Sequence, residues 1–165
     1  MKKYSWGILL LAGLLPLTAQ AQNISGTLEG EPREWFILSE GRDSNASYIE
    51  VGDQLQVSIT GFTEPDSWNA HEALTISLNI EDSQLIDAQV VHLIGNTTMP
   101  PLYSSEGGNV TVMLERFEQQ GSQVHVTGHI QGVMALQGDL DAAPSQEDGI
   151  DIDIQFDVEA YRVEF

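Results

Sequence analysis

The 165-residue chain has no cysteine, and its only lysines are Lys2 and Lys3. The first absence excludes disulfides, thiolate metal sites, a cysteine nucleophile and a lipid-bearing cysteine. The second leaves Arg33, Arg42, Arg116 and Arg162 as the only cationic side chains after position 3, against 25 acidic residues. Aromatic residues are few, at 7% of the chain. The Gly-x-Ser-x-Gly elbow of serine hydrolases and the glycine-rich phosphate loop are both missing. After the first 21 residues no stretch carries a helical apolar period.

What is present begins with "MKKYSWGILLLAGLLPLTAQAQ". Two lysines, an apolar centre too short to span a bilayer and the small-x-small triplet Ala19-Gln20-Ala21 together predict a signal peptide over 1–21. Cleavage after Ala21 leaves a single domain over 22–165, with no transmembrane helix in the mature chain. The expected address is the periplasm of a Gram-negative bacterium. Losing Lys2 and Lys3, and no acid, takes the formal charge from −19 to −21. A field of that sign repels nucleic acid and anionic head groups, which excludes nucleic-acid binding.

Apolar residues after the leader alternate with polar ones, the period of half-buried strands. Leu55, Val57 and Ile59 are one such set, and Leu74, Ile76, Leu78 and Ile80 another. The segments 85–94, 109–117, 123–132 and 133–140 continue it. Turn signals separate them at Gly52-Asp53, Glu81-Asp82-Ser83, Gly107-Gly108-Asn109 and 118–123. The pattern predicts an all-β fold, a single antiparallel β-sandwich of about eight to ten strands. The alternative with the same period is an eight-stranded outer-membrane β-barrel, located in the outer membrane. Few aromatics and many acids count against that barrel.

The C-terminal "GIDIDIQFDVEAYRVEF" is the clearest case. Ile150, Ile152, Ile154, Phe156 and Val158 share one face, and Asp151, Asp153, Gln155, Asp157 and Glu159 the other. Tyr161, Val163 and Phe165 then fall out of phase. A bulge near Glu159-Ala160, or packing of the last residues on a second sheet, is expected.

Motifs of catalysis are weak. "HEALT" at 71–75 starts like a zinc-protease helix but has threonine where the second histidine belongs. His125 and His129 lie roughly 13 Å apart along a strand, too far for one metal, and read as surface residues. His92 reads as a sheet-face residue. No catalytic residue is assigned, and a hydrolase acting through one of many carboxylate pairs is the residual alternative. Binding is better placed in loops. The 63–72 segment offers Trp68, His71, Asp66 and Asn69, an aromatic beside hydrogen-bonding groups, as glycan-recognising surfaces do. A second loop, 95–109, could line the same end. Asp139, Asp141, Asp148 and Asp151 could gather Ca²⁺, weakly or non-specifically, because the EF-hand spacing is missing. No cofactor is otherwise expected.

"ISGTLEG", "REWFIL", "VTVMLERF" and "HVTGHIQGVM", with the closing strand, resemble a loosely defined group of small exported bacterial β-sandwich proteins of uncharacterised function. The resemblance implies fold and compartment and carries over no site residue. The expected function is therefore an acidic, non-catalytic binding or interaction protein of the bacterial envelope. Its candidate partners are a glycan or another envelope protein.

So large a net charge opposes compaction through self-repulsion. The melting temperature is expected to rise as NaCl goes from 0.01 to 0.15 M, where the Debye length falls from about 30 to about 8 Å. Scanning calorimetry at these two salt levels checks it, and an unchanged midpoint would show the acids to be already separated or paired.

Overall fold

The structure is a computed structural model and describes residues 22–40 and 43–164; the expected signal peptide lies outside the described residues. Among the described residues there are strands and no helix. In chain order they are β1 (Asn23–Leu28), β2 (Glu31–Phe36), β3 (Ser39–Glu40), β4 (Asp43–Ser44), β5 (Ala46–Val51) and β6 (Gln54–Gly61). There follow β7 (Leu74–Glu81), β8 (Gln84–Leu93), β9 (Leu102–Gln120), β10 (Gln123–Gln137) and β11 (Ser145–Arg162). Nine of them form one sheet in the order β10-β9-β8-β7-β6-β5-β11-β1-β2, and β10 also pairs with β11, so the order returns on itself. All pairings in it are antiparallel except β11 with β5, which run parallel over two residue pairs. Strands β3 and β4 make a separate small hairpin.

Strand β11 shows why the sequence folds this way. Ile150, Ile152, Ile154, Phe156, Val158 and Ala160 are buried, whereas Asp151, Asp153, Gln155 and Glu159 are exposed. An apolar set at every second residue can be buried only by a strand with one face on a core. Each of the larger side chains then contributes about 1.5–3 kcal/mol through burial. The same core takes Ile24 from β1, Trp35 from β2, Tyr48 from β5, Ile59 from β6, Leu78 from β7, Val90 from β8 and Ile130 from β10. Inward side chains from so many strands meet in one cluster only because the sheet folds over on itself. The fold is thus all-β, a single antiparallel sandwich. Apolar side chains face in and acids face out, the reverse of a lipid-facing barrel wall.

Close packing fixes one glycine in particular. A Cβ at Gly128 would lie 2.4 Å from both the Phe156 ring and the Met113 carbonyl oxygen. Only the missing side chain lets the ring lie over β10.

Several sequence expectations need correction. Segments 123–132 and 133–140 are not two strands but the single β10, carrying a register shift between Met134 and Leu136 opposite β11. Gly107-Gly108-Asn109 is not a turn between strands. It lies inside β9, where five residues from Ser104 to Asn109 advance against only two on β10. Near Glu159-Ala160 there is no bulge: β10 and β11 stay in register from Gln123↔Tyr161 to Met134↔Ile150. The alternation continues inward through Ala160, whose small side chain hid it, so Tyr161 and Val163 belong to the outer face. Strands β2 and β5 were not apparent from the alternation; β2 buries only Trp35 fully.

His92 is a core residue, only 4% exposed. Its ring stands edge-on to Trp35, centroids 6.1 Å apart, and stacks on Tyr103 at 6.2 Å. Among the described residues neither ring nitrogen has a hydrogen-bonding partner. Burial pushes its pKa down to about 4, against a smaller upward pull from the Glu72 carboxylate. The unfolded chain therefore binds the proton more tightly than the folded one, and stability present above pH 6.5 is lost as the pH falls towards 4. Relative to a His92→Phe variant, the native protein is expected to lose about 3 kcal/mol over that window, at 1.36 kcal/mol per pKa unit. Urea melts of both proteins across the window check this, and parallel pH profiles would contradict the burial of a neutral ring.

Candidate functional site

The segment between β6 and β7 is tied down at both ends. Phe62 exchanges two backbone hydrogen bonds with Phe36, at 2.7 and 2.9 Å. At the other end the Leu93 N–H donates to the Ala73 carbonyl at 2.9 Å. Leu38, Phe62, Ala73, Leu93 and Leu102 form a second, smaller core beneath the segment. Glu72 sits at φ 55°, a left-handed backbone that turns the chain into β7. Its carbonyl accepts the Trp35 indole N–H at 2.9 Å, and its carboxylate lies 3.5 Å from Arg33. "HEALT" is therefore a loop end followed by a strand, with no helix to hold two zinc ligands.

Within this frame the four expected residues divide. Asn69 Oδ1 accepts the His71 N–H at 3.2 Å, and the Thr63 hydroxyl donates to the His71 carbonyl at 3.4 Å. Asn69 and His71 thus shape the loop by the local side-chain hydrogen bonding that turns use. Asp66 is exposed at its tip. Trp68 alone reaches a concavity. It leans on Phe62, with ring centroids 6.0 Å apart and planes tilted by 52°, yet remains 51% exposed.

That concavity is a cleft of about 690 Å³ lined by Trp68, by Asp43, Ser44, Ala46 and Ser47, by Ser122 and by Tyr161, Arg162, Val163 and Glu164. It lies where β11 meets β5 in their short parallel join, Tyr161↔Ser47 and Arg162↔Tyr48. The wall is well supported. The Arg162 N–H donates to the Ser122 carbonyl at 2.9 Å, and the Val163 N–H to the Tyr48 carbonyl at 3.0 Å. Arg162 extends its guanidinium to Glu50 at 2.7 Å. Ser44 Oγ accepts the Ala46 N–H at 3.2 Å, which fixes the side chain and leaves its O–H free to donate. Two aromatic side chains, hydroxyls, two carboxylates and one arginine can hold a ligand that is flat and apolar on one face and rich in hydroxyls at its edge.

The Ca²⁺ candidates are not drawn together. Asp148 accepts a hydrogen bond from Ser145 Oγ at 2.9 Å. Asp151 faces solvent from β11, while Asp139 and Asp141 line a separate depression with Met99, Pro100 and Leu140. Among the described residues no three histidine or acidic side chains converge as a metal site requires. The 95–109 segment lines that depression rather than the Trp68 cleft, and from Leu102 onward it is strand β9.

The acid ladder does have partners that the sequence did not show. His125 Nε2 lies 2.6 Å from Asp157, and His129 Nε2 lies 2.6 Å from Asp153. In register, His125 faces Glu159 and His129 faces Gln155, so both contacts run diagonally to an aspartate two positions along β11. Two histidines four apart on one strand and aspartates four apart on another were the only signal, legible once the strand pairing was known. Of the cleft residues only Trp68 was expected from the sequence: Tyr161 and Val163 were read as an out-of-phase strand end, and Arg162 and the serines of 44–47 carry no local signal. No family model, no curated protein and no solved structure matches this chain.

Proposed function

We propose that this is an exported, non-catalytic binding protein of the bacterial envelope, acting in the periplasm, and that its ligand is a neutral glycan held in the Trp68 cleft. One observation carries the reading. A tryptophan that could have folded onto the sandwich end instead keeps half its surface in a cleft shared with Tyr161 and Arg162. Sugar rings present an apolar face to stack on such a side chain and hydroxyls to pair with serines, carboxylates and arginine. The strong negative charge favours a ligand that is neutral or positive. The leader-like first 21 residues and the resemblance to exported sandwich proteins support the compartment. An outer-membrane barrel is the less favoured alternative, because the outward side of β11 bears acids.

Titration of the purified protein with a panel of neutral oligosaccharides, measured by isothermal titration calorimetry, tests the site. Trp68→Ala is expected to weaken binding at least tenfold, about 1.4 kcal/mol. Because the side chain is half exposed, the same change should move stability by only about 0.5 kcal/mol. Unchanged affinity in a folded variant would remove the cleft from the account. A large stability loss would make Trp68 a cover for Phe62 rather than a ligand contact.

A further inference from the structure

Strand β9 pairs with β10 along most of its length, from Leu102↔Gln137 to Gln120↔Gln123. On its other edge it meets β8 through only three residue pairs, Val91↔Ser104, His92↔Tyr103 and Leu93↔Leu102. The separation has a local cause. Directly after Ser104 the extra residues of the bulge push β9 out of register. Gly107, at φ +77°, and Gly108, whose Cβ would fall 2.4 Å from the Val133 carbonyl oxygen, hold it there. At the split, the Val90 N–H turns to Ser105 Oγ at 2.9 Å in place of a backbone acceptor. Among the described residues, the β9 edge from Asn109 to Gln120 then has no strand paired with it, and its far end is touched only by the β5 side chain of Glu50, which accepts from Gln119 Nε2 at 3.5 Å.

An open edge of twelve residues is a template for another strand. Such edges are blunted by lysine, proline, other charges or a bulge; "NVTVMLERFEQQ" has no lysine or proline, and its one bulge is the single extra residue Glu115, between Leu114 and Arg116. Its inward residues Val110, Val112, Leu114 and Phe117 pack only partly onto the core, as do Leu85 and Ala88 of β8. Met113 is 47% exposed. The charge around the opening is acidic: Glu106, Glu115 and Glu118 on β9, and Asp87 on β8. Arg116, the one cation on this stretch, is already held by Glu118 at 2.8 Å.

We propose that the free edge of β9 over 109–120 accepts an extended, positively charged segment of another protein as an added strand. Backbone pairing along β9 supplies the attachment, the half-covered apolar side chains supply burial, and the four acids select a basic partner. A second copy of this chain fits less well, because it would bring the same acids and the same charge of −19 to the contact. The edge is distinct from the Trp68 cleft, so the inference stands apart from the glycan reading.

The probe is a capped twelve-residue peptide of alternating lysine and valine, tested on the full protein by amide hydrogen exchange. Two comparison peptides are needed: one with glutamate for lysine, and one of unchanged charge with two central valines replaced by proline. The lysine peptide is expected to slow exchange within 109–120 at least tenfold, and the other two are not. Exchanging charge by Glu115→Lys with Glu118→Lys, both exposed positions, should weaken the peptide at least tenfold without lowering the melting temperature. If the proline peptide binds equally, if protection falls elsewhere, or if charge reversal changes nothing, the proposal fails. Concentration-dependent protection of the same amides without peptide would also overturn it, by giving the edge to a second copy.

Discussion

Among the described residues β11 is the one strand with three neighbours in the main sheet, and the rest of the structure depends on how it buries its inward face. On one side it pairs with β10 from Met134↔Ile150 to Gln123↔Tyr161. On the other it pairs first with β1, over Leu28↔Ile152 to Asn23↔Asp157, and then with β5. It thereby brings the end strand β10 back onto the middle of the strand order, and six inward residues at alternate positions deliver one edge of the core. The outward acids stand two residues apart, where like charges repel unless water, salt or a counter-charge intervenes. His125 and His129 reach across to two of them. The strand therefore combines strong apolar burial with an exposed outer face of acids.

Both places proposed for function are places where the ring of strands is thin. Strands β5 and β11 share only two residue pairs, and the Trp68 cleft opens over that join. Strands β8 and β9 share only three, and the unpaired β9 edge begins directly beyond them. Complete antiparallel pairing satisfies the backbone and leaves a plain polar surface. Where pairing stops early, side chains such as Trp68 and Met113 are left in reach of a partner. The two seams differ in chemistry. The first has hydroxyls, aromatics, two carboxylates and an arginine. The second has main-chain groups, aliphatic side chains and acids.

Period-two alternation made the fold class readable, because each strand with one buried face writes that face into its sequence. Strands β6, β7 and the central part of β11 were legible for that reason. Strands β2 and β5 were not, since short edge-like strands bury too few residues to write a pattern. The end of β11 was misread because Ala160, small and weakly apolar, occupies an inward position that Tyr161 seemed better suited to fill. That error hid half of the candidate site. Trp68 stood out as an aromatic in a polar loop, but its cleft is completed by residues about ninety positions away. No local pattern carries such a contact. The histidine–aspartate contacts and the open β9 edge were hidden for the same reason: both follow from register and a bulge, which glycines permit but do not announce.

The central claim is that β11 holds the sheet together, and native-state hydrogen exchange in graded denaturant tests it most directly. If the claim is right, the amides of Ile152, Ile154, Phe156 and Val158 exchange only through global unfolding and show the highest free energy of opening in the chain. Exchange of these amides through a smaller, local opening, while those of β6 and β7 stay protected, would contradict it.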